Sequence, residues 1–167
     1  AKMKELLQQV NEPKSVIITV NAGFVPNDHW TQDPLVGGGR LLGEGCHFID
    51  LARHIVDSRI AAHKVHALGK TIAGAARDDK VMISLEFEDG SIATIHYLAN
   101  GHRSFPKERI EVFVSGRILQ LDNFTRLRGG GWPGFKTMKL WRQNKGQAEC
   151  VSAFLGAVRG LADAPIE

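Results

Sequence analysis

A run of alternating apolar residues around a single turn signal constrains the fold of this chain most strongly. Val81, Ile83, Leu85 and Phe87 point one way, and the residues between them point the other. Alternation with a period of two is typical of a strand with one face on a core. Asp89-Gly90, a strong signal for a tight hairpin, follows, and 91–98 reads as the returning strand. The chain must therefore contain an antiparallel sheet.

The remaining pattern places helices before and after this hairpin. Apolar residues at helical spacing predict helices at 2–10, 41–56 and 147–162. The last of these should bury a stripe made of Ala148, Val151, Phe154, Leu155, Val158 and Leu161. Strands are predicted at 15–22 (covered on both faces), 61–69, 81–87, 91–98, 110–114, 117–122 (which 124–127 would extend) and 137–143, whereas the glycine-rich segment 128–135 should be irregular.

This order predicts an α+β fold: a largely antiparallel open sheet with helices packed on one face. No internal repeat interrupts it, so 1–167 reads as one domain. The opposite face must be solvated or buried in a partner, and we expect a homo-oligomer that forms through it. In one choice of register the contact residues would be Met82, Ala93, Ile95, Tyr97 and Phe113.

Composition excludes several classes of protein. Hydrophobic residues at 43% and charged ones at 23% are typical of a globular domain rather than a disordered one. We expect no membrane span, because no apolar run reaches the required ~20 residues, and no secretory signal is visible. The cytoplasm is therefore the expected location. The two cysteines, Cys46 and Cys150, lie in apolar helical patterns, which allow a single disulfide but favour two buried, reduced thiols.

Ligand motifs are mostly absent. The run Gly37-Gly38-Gly39 follows a loop and lacks the Gly-x-Gly-x-x-Gly spacing, so we expect no cofactor on this chain alone. The seven histidines form no closed ligand set, which argues against a metal. Basic residues interleave with Trp132, Phe135 and Trp141, but a solvated strand edge explains them more simply than nucleic acid does.

The segment 23–56 is the best candidate for a functional site. A long loop containing Trp30 leads through the three glycines into the second helix, and loops of this length are often functional. Trp30 could line a pocket or anchor the loop to the core. One helix face carries a polar line of Glu44, His47, Asp50 and His54. Gly43 and Gly45 weaken the first turn, so the backbone there should approach another group closely. Histidine titrates near neutral pH and can relay a proton.

The run from His29 to Asp50 resembles the active-site segment of the Gfo/Idh/MocA oxidoreductases, the relatives of glucose–fructose oxidoreductase and inositol dehydrogenase. Their pattern is Trp-Arg, Gly-Gly-Gly, apolar residues, Asp, three residues, His, two residues and Asp. The resemblance covers nearly the whole chain. The segments 39–48 and 126–145 are most similar to a branch of this family that is fused behind an alcohol-dehydrogenase-like module.

That resemblance implies an N-terminal Rossmann domain binding NAD or NADP, and a C-terminal α+β domain forming the substrate wall and subunit interface. This chain, which opens on Ala1 without an initiator Met, resembles the second domain alone, an excised piece. The family's Glu-Lys-Pro lysine is absent, since Glu12-Pro13-Lys14 is not that motif. His47 matches the family histidine that assists proton transfer from a sugar hydroxyl.

Two departures from the family pattern leave the chemistry open. Gly43 stands where the family has Asp one turn before the histidine, and Thr31 replaces the loop Arg. Glu44 is adjacent but lies about 100° round the helix. Either Glu44 replaces the missing carboxylate from a shifted helix start, or the chemistry differs.

Two functions follow. The first is the substrate-binding and dimerisation domain of an NAD(P)-dependent oxidoreductase acting on a sugar or polyol, inactive by itself. In it His47 is the proton relay, and Trp30, Arg40, Glu44 and Asp50 surround the substrate. The second is a non-catalytic binding or assembly module that keeps the fold, which Gly43 motivates.

Overall fold

A computed structural model describes residues 2–26, 28–33, 35–68 and 79–163. Its helices are α1 (Lys2–Leu7), α2 (Cys46–Val56) and α3 (Gln147–Val158), with a 3₁₀ turn at Trp30–Gln32 and a π-helical turn at Leu41–Gly45. Its strands are β1 (Ser15–Asn21), β2 (Ile60–Ala67), β3 (Lys80–Phe87), β4 (Ile92–Leu98), β5 (Glu108–Val114), β6 (Arg117–Asp122), β7 (Arg126–Gly130) and β8 (Thr137–Lys139). Asn27 and Pro34 of the predicted loop, and Gly69 of the predicted strand, lie outside the described residues.

The strands form one mixed sheet in the order β2-β3-β4-β1-β5-β6-β7-β8. Only the central pair β1–β4 is parallel among these neighbours, and the other pairs are antiparallel. The sheet is open, and the predicted α+β class is confirmed. Strand β1 buries Val16, Ile18 and Val20, whereas Ile17 and Thr19 on its other face are half-buried. The prediction that β1 is covered on both faces is therefore wrong for the described part of the chain.

One face of the sheet carries the core. The alternation in β3 is confirmed, because Val81, Ile83, Leu85 and Phe87 are all buried. They share a cluster with the inner residues of α1 and α2. Those inner residues are Met3, Leu6 and Leu7 of α1, and Phe48, Ala52, Ile55 and Val56 of α2. Helix α2 is thereby fixed over the middle of the sheet, which positions everything at its N-terminal end.

The register corrects the predicted oligomer contacts. Ala93 and Tyr97 of β4 lie opposite Val16 and Val20 of β1, and Ile95 lies opposite Ile18, so all three face the core and are buried. They cannot lie on the open face, because side chains directly opposite in neighbouring strands point the same way. Met82 and Phe113 do lie there, and Phe113 is exposed.

The segment predicted to be irregular begins with a strand. Arg126–Gly130 forms β7 and pairs with β6. A larger residue would clash at either of its glycines. A Cβ on Gly129 would stand 2.7 Å from Cδ1 of Phe135, and one on Gly130 would stand 2.9 Å from Cγ2 of Ile118. Glycine weakens a strand, which is why the sequence pattern predicts irregular structure here. In this strand the glycines instead allow side chains to approach the backbone closely.

The predicted burial of α3 and of the cysteines is wrong. No residue of α3 is buried: its large apolar side chains are exposed, because no described element packs over them. Cys46 and Cys150 are free thiols, as expected, but both are exposed. Cys46 lies off the inner face of α2 and donates to the carbonyl of Leu42. Within the described ranges, no helix is both long and apolar enough to span a membrane.

Candidate functional site

The loop before α2 is shaped by one close backbone approach. A Cβ on Gly37 would lie 2.5 Å from the carbonyl oxygen of Trp30 and 2.6 Å from Cα of Thr31. Only glycine fits there, so the 3₁₀ turn at Trp30–Gln32 packs directly on the glycine run. Gly38 and Gly39 then adopt positive φ angles of 69° and 86°, which glycine adopts without strain. The loop therefore has a fixed course into the helix.

The helix begins with a π-helical turn. Leu41–Gly45 closes with a hydrogen bond from the N–H of Cys46 to the carbonyl of Leu41. A Cβ on Gly45 would lie 2.5 Å from Cδ1 of Leu41, whereas Gly43 has nothing within 4 Å. The predicted close approach thus exists at Gly45 and not at Gly43. A π turn holds one residue more than an α-helical turn, which changes the direction of its side chains, and such turns are frequent at functional sites.

Glu44 of this turn lies at the centre of a polar cluster. Its Oε2 accepts a hydrogen bond of 2.6 Å from the Tyr97 hydroxyl and one of 3.2 Å from Nη2 of Arg40. Its Oε1 accepts one of 2.5 Å from Nζ of Lys107. Both carboxylate oxygens are therefore engaged. This cluster, Arg40–Glu44–Tyr97–Lys107, joins the helix start to β4 and to the connection before β5.

The charges in the cluster favour an ionised Glu44. Partial burial raises the pKa of its carboxyl, but the hydrogen bonds from Lys107 and Tyr97 and the charges of Lys107 and Arg40 outweigh that and lower the pKa below its ordinary value. Burial, together with the bond to Glu44, raises the pKa of Tyr97 strongly. The phenol remains a proton donor and the carboxylate an acceptor, so this pair does not exchange protons near neutral pH.

Arg40 connects the cluster to neighbouring loops. Its guanidinium is buried and donates to the carbonyls of Ala22 and Gly23, at 2.9 and 2.7 Å, just after β1. It also lies 5.6 Å from the centre of the Tyr97 ring. Nearby, Asp79 is buried and accepts from Gln32 and Lys80. The hydrogen bonds of Arg40 are therefore made to protein groups, and they hold the chain after β1 against the start of the helix.

The structure joins Arg40 and Glu44 but leaves the other three predicted site residues in solvent. His47 is exposed on the first turn of α2, and in the described part of the chain its ring has no hydrogen-bond partner. Asp50 is also exposed. Trp30 is 62% exposed, so its alternative role as an anchor in the core is wrong. An exposed imidazole one turn beyond an ionised, saturated carboxylate can exchange a proton with a bound molecule.

Two members of the cluster were missing from the sequence prediction. The alternation places Tyr97 in a strand without fixing which face it occupies, and no pattern singles out Lys107. Only Tyr97 carries a signal, because a tyrosine in an apolar strand needs a hydrogen-bond partner for its hydroxyl.

A cleft of about 280 Å³ lies at the other end of α2. Its lining includes Lys4, Lys14 and Asp57, and both lysines donate to carbonyls of the last helical turn, those of His54 and Val56. Lys4 also pairs with Asp57 at 2.8 Å. These contacts cap the helix, and His47 does not line the cleft.

Comparisons with known proteins now bear on this geometry. The family model described as the GFO/IDH/MocA C-terminal domain matches residues 1–119. "Glucose-fructose oxidoreductase domain-containing protein 1" of Xenopus tropicalis is 30% identical over 132 residues, which cover 71% of this chain and 33% of that protein. The chain therefore spans about a third of the length of that curated relative.

Solved structures show the same fold. The aldose-aldose oxidoreductase of Caulobacter crescentus, complexed with glycerol, matches with a TM-score of 0.74 and 15% identity, over 98% of this chain and 51% of that one. The inositol dehydrogenase homolog of Azotobacter vinelandii, complexed with NAD+, matches with a TM-score of 0.68 and 19% identity, over 87% and 42%. The chain belongs to the GFO/IDH/MocA family and corresponds to its C-terminal domain.

Proposed function

We propose that this chain is the substrate-binding and dimerisation domain of an NAD(P)-dependent oxidoreductase acting on a sugar or polyol, and that it is inactive alone. Family membership supports the reaction class, and two solved relatives carry glycerol and NAD+. The single observation that carries the site is the exposed His47 ring beside the Arg40–Glu44–Tyr97–Lys107 cluster.

The glycine run at 37–39 is the candidate phosphate loop of this chain, and it does not fit the dinucleotide. A phosphate-binding glycine turn keeps its backbone open to the ligand, whereas Gly37 is packed against the carbonyl of Trp30. We therefore assign NAD or NADP to the Rossmann domain that precedes this region in the family, where it would exchange a hydride with the substrate carbon.

In the proposed mechanism His47 moves the proton. Its neutral imidazole accepts the proton of the substrate hydroxyl during oxidation and returns it in the reverse direction. Glu44 cannot perform this step, because both of its oxygens are engaged and its pKa is lowered. We assign Glu44 the role of holding Lys107 and the π turn in place. In this chain Glu44 and the π turn would together take over the role of the Asp that the family has at the position of Gly43. Trp30 and Asp50, both exposed, would contact substrate.

His47→Ala in the full-length protein tests this mechanism. We expect kcat to fall by roughly 10²-fold or more, the usual range for an acid–base residue. His54→Ala is the matched control, because His54 is also exposed on α2 but lies nearly two turns away. Turnover that is unchanged in His47→Ala, or lowered equally in both variants, would remove His47 from the mechanism.

Self-association through the open sheet face belongs to the same proposal. Phe113 is 42% exposed there, and Ile92 on the same face is 51% exposed. Light scattering on the full-length protein should show a dimer or larger; monomers alone at high concentration would contradict it.

The alternative is a non-catalytic assembly module, and Gly43 in place of the family's Asp favours it. The sequence upstream of Ala1 separates the two. A Gly-x-Gly-x-x-Gly strand–turn–helix followed by Glu-Lys-Pro supports the enzyme, and its absence supports the module.

A further inference from the structure

Helix α3 is largely apolar and exposed. Of its 12 residues only Glu149 is charged. Val151, Phe154 and Val158 are exposed by 58%, 63% and 67%, although they occupy successive turns. A helix with so few polar residues is normally enclosed in a protein interior rather than laid on a surface. Its cover must therefore come from outside the described residues.

The start of α3 is nevertheless firmly held. Nζ of Lys145 donates to Oε1 of Glu108 at 2.6 Å, and the Glu108 side chain is only 1% exposed. The preceding residues bond to the turn after β6: Nε2 of Gln143 donates to the carbonyl of Asn123, and the N–H of Asn144 donates to that of Phe124. The helix is thus anchored at its N-terminal end while its body remains without a cover.

This anchor lies at the same end of the sheet as the candidate site. Glu108 opens β5 and follows Lys107, which binds Glu44 in the turn before α2. Glu108 is also opposite Val20, which is itself opposite Tyr97, so both polar side chains belong to one row across the core face. A body that covers the start of α3 would therefore lie at the end of the sheet where α2 begins.

We propose that α3 is the docking surface for the dinucleotide-binding domain of the full-length protein, and that this contact sets that domain over His47. The inference rests on the proposed function, which supplies the domain. Proteins of this fold contain further chain that could form such a domain. The match to the Caulobacter crescentus enzyme covers 98% of this chain but only 51% of that enzyme. A second copy is the weaker candidate, because the open sheet face already offers exposed Phe113 and Ile92 for that contact.

Hydrogen–deuterium exchange on the full-length protein tests the proposal with Val158→Asp. In the unmodified protein the amides of α3 should exchange slowly. Val158→Asp should speed exchange about tenfold or more both in α3 and in peptides of the dinucleotide-binding domain, because a buried charge would separate the two surfaces. Val65→Asp is the matched control: Val65 is 48% exposed on the edge strand β2, and its substitution should change neither region.

Three outcomes would overturn the proposal: fast exchange in α3 of the unmodified protein, unchanged exchange in the dinucleotide-binding domain of Val158→Asp, or a halved mass of that variant by light scattering, which would assign α3 to a second copy. If Val158→Asp does not fold, Phe154→Ala is measured in the same way. Failure of the proposed function looks different. In that case neither NAD nor NADP would slow exchange in any upstream peptide of the unmodified protein.

Discussion

Helices α2 and α3 have similar lengths, 11 and 12 residues, but opposite relations to the rest of the chain. Helix α2 divides into a buried face, with Phe48, Ala52 and Ile55, and a polar line that includes His47 and Asp50. Helix α3 has no such division and buries nothing. The difference shows that a helix packed on its own domain holds its polar line in a fixed place, whereas a largely apolar helix left exposed gains no such support from the described part of the chain.

Truncating the same aromatic side chain in each helix should produce the largest contrast. Phe48→Ala removes a ring that is 6% exposed and should destabilise the purified 167-residue chain by about 3–5 kcal/mol, because a cavity is left beside Tyr97. Phe154→Ala removes one that is 63% exposed and should change the free energy of unfolding by no more than about 0.5 kcal/mol. Urea unfolding measures both. Equal losses would mean that α3 is packed within this chain.

Alanine at two glycines should shift stability in opposite directions. Gly37→Ala, in the loop leading to α2, places a Cβ against the Trp30 backbone and should cost about 1–3 kcal/mol. Gly156→Ala, inside α3, meets nothing within 4 Å and should stabilise the chain by about 0.5–1 kcal/mol through helix propensity. Thermal unfolding of both variants decides it. Destabilisation by Gly156→Ala would reveal a close neighbour of α3 and break the contrast between the helices.

Local pattern predicted α2 well and α3 badly for one physical reason. Periodicity reports which residues are apolar, and it cannot report whether their cover belongs to the same chain. For α2 the cover is the sheet, so the apolar residues Phe48 and Ile55 of the predicted helix are buried. For α3 the same kind of pattern predicted a buried stripe, and Phe154 and Val158 are exposed.

The candidate site shows a similar limit. His47, Glu44 and Arg40 were recognised because they lie within one segment, along one helix and the loop before it. The partners of Glu44 were not, since Tyr97 and Lys107 are separated from it by 53 and 63 residues and meet it only through the sheet. Packing of side chains against glycine, as at Gly129, was equally hidden because it depends on the tertiary fold.

The smallest expected effect is a difference in pH response between Glu44, in the turn before α2, and Glu149, in the first turn of α3. The pKa of Glu44 is lowered, so its interactions stabilise the fold above its ordinary value of 4.5, and that contribution is lost as the pH falls through the lower pKa of the folded state. Stability of the unmodified chain should therefore decline below about pH 4.5 more steeply than that of Glu44→Gln, with the two curves converging in acid.

The pKa of Glu149 in α3 is lowered as well, mainly by a hydrogen bond from its own backbone N–H, but the group is fully exposed. Its pH-dependent contribution should vanish at high salt, since exposed charges are screened, whereas that of Glu44 should persist. Urea midpoints from pH 3 to 7, at low and high salt, compare the unmodified chain with Glu44→Gln and with Glu149→Gln. If high salt removes both differences from the unmodified chain equally, the Arg40–Glu44–Tyr97–Lys107 cluster contributes no more than a surface charge.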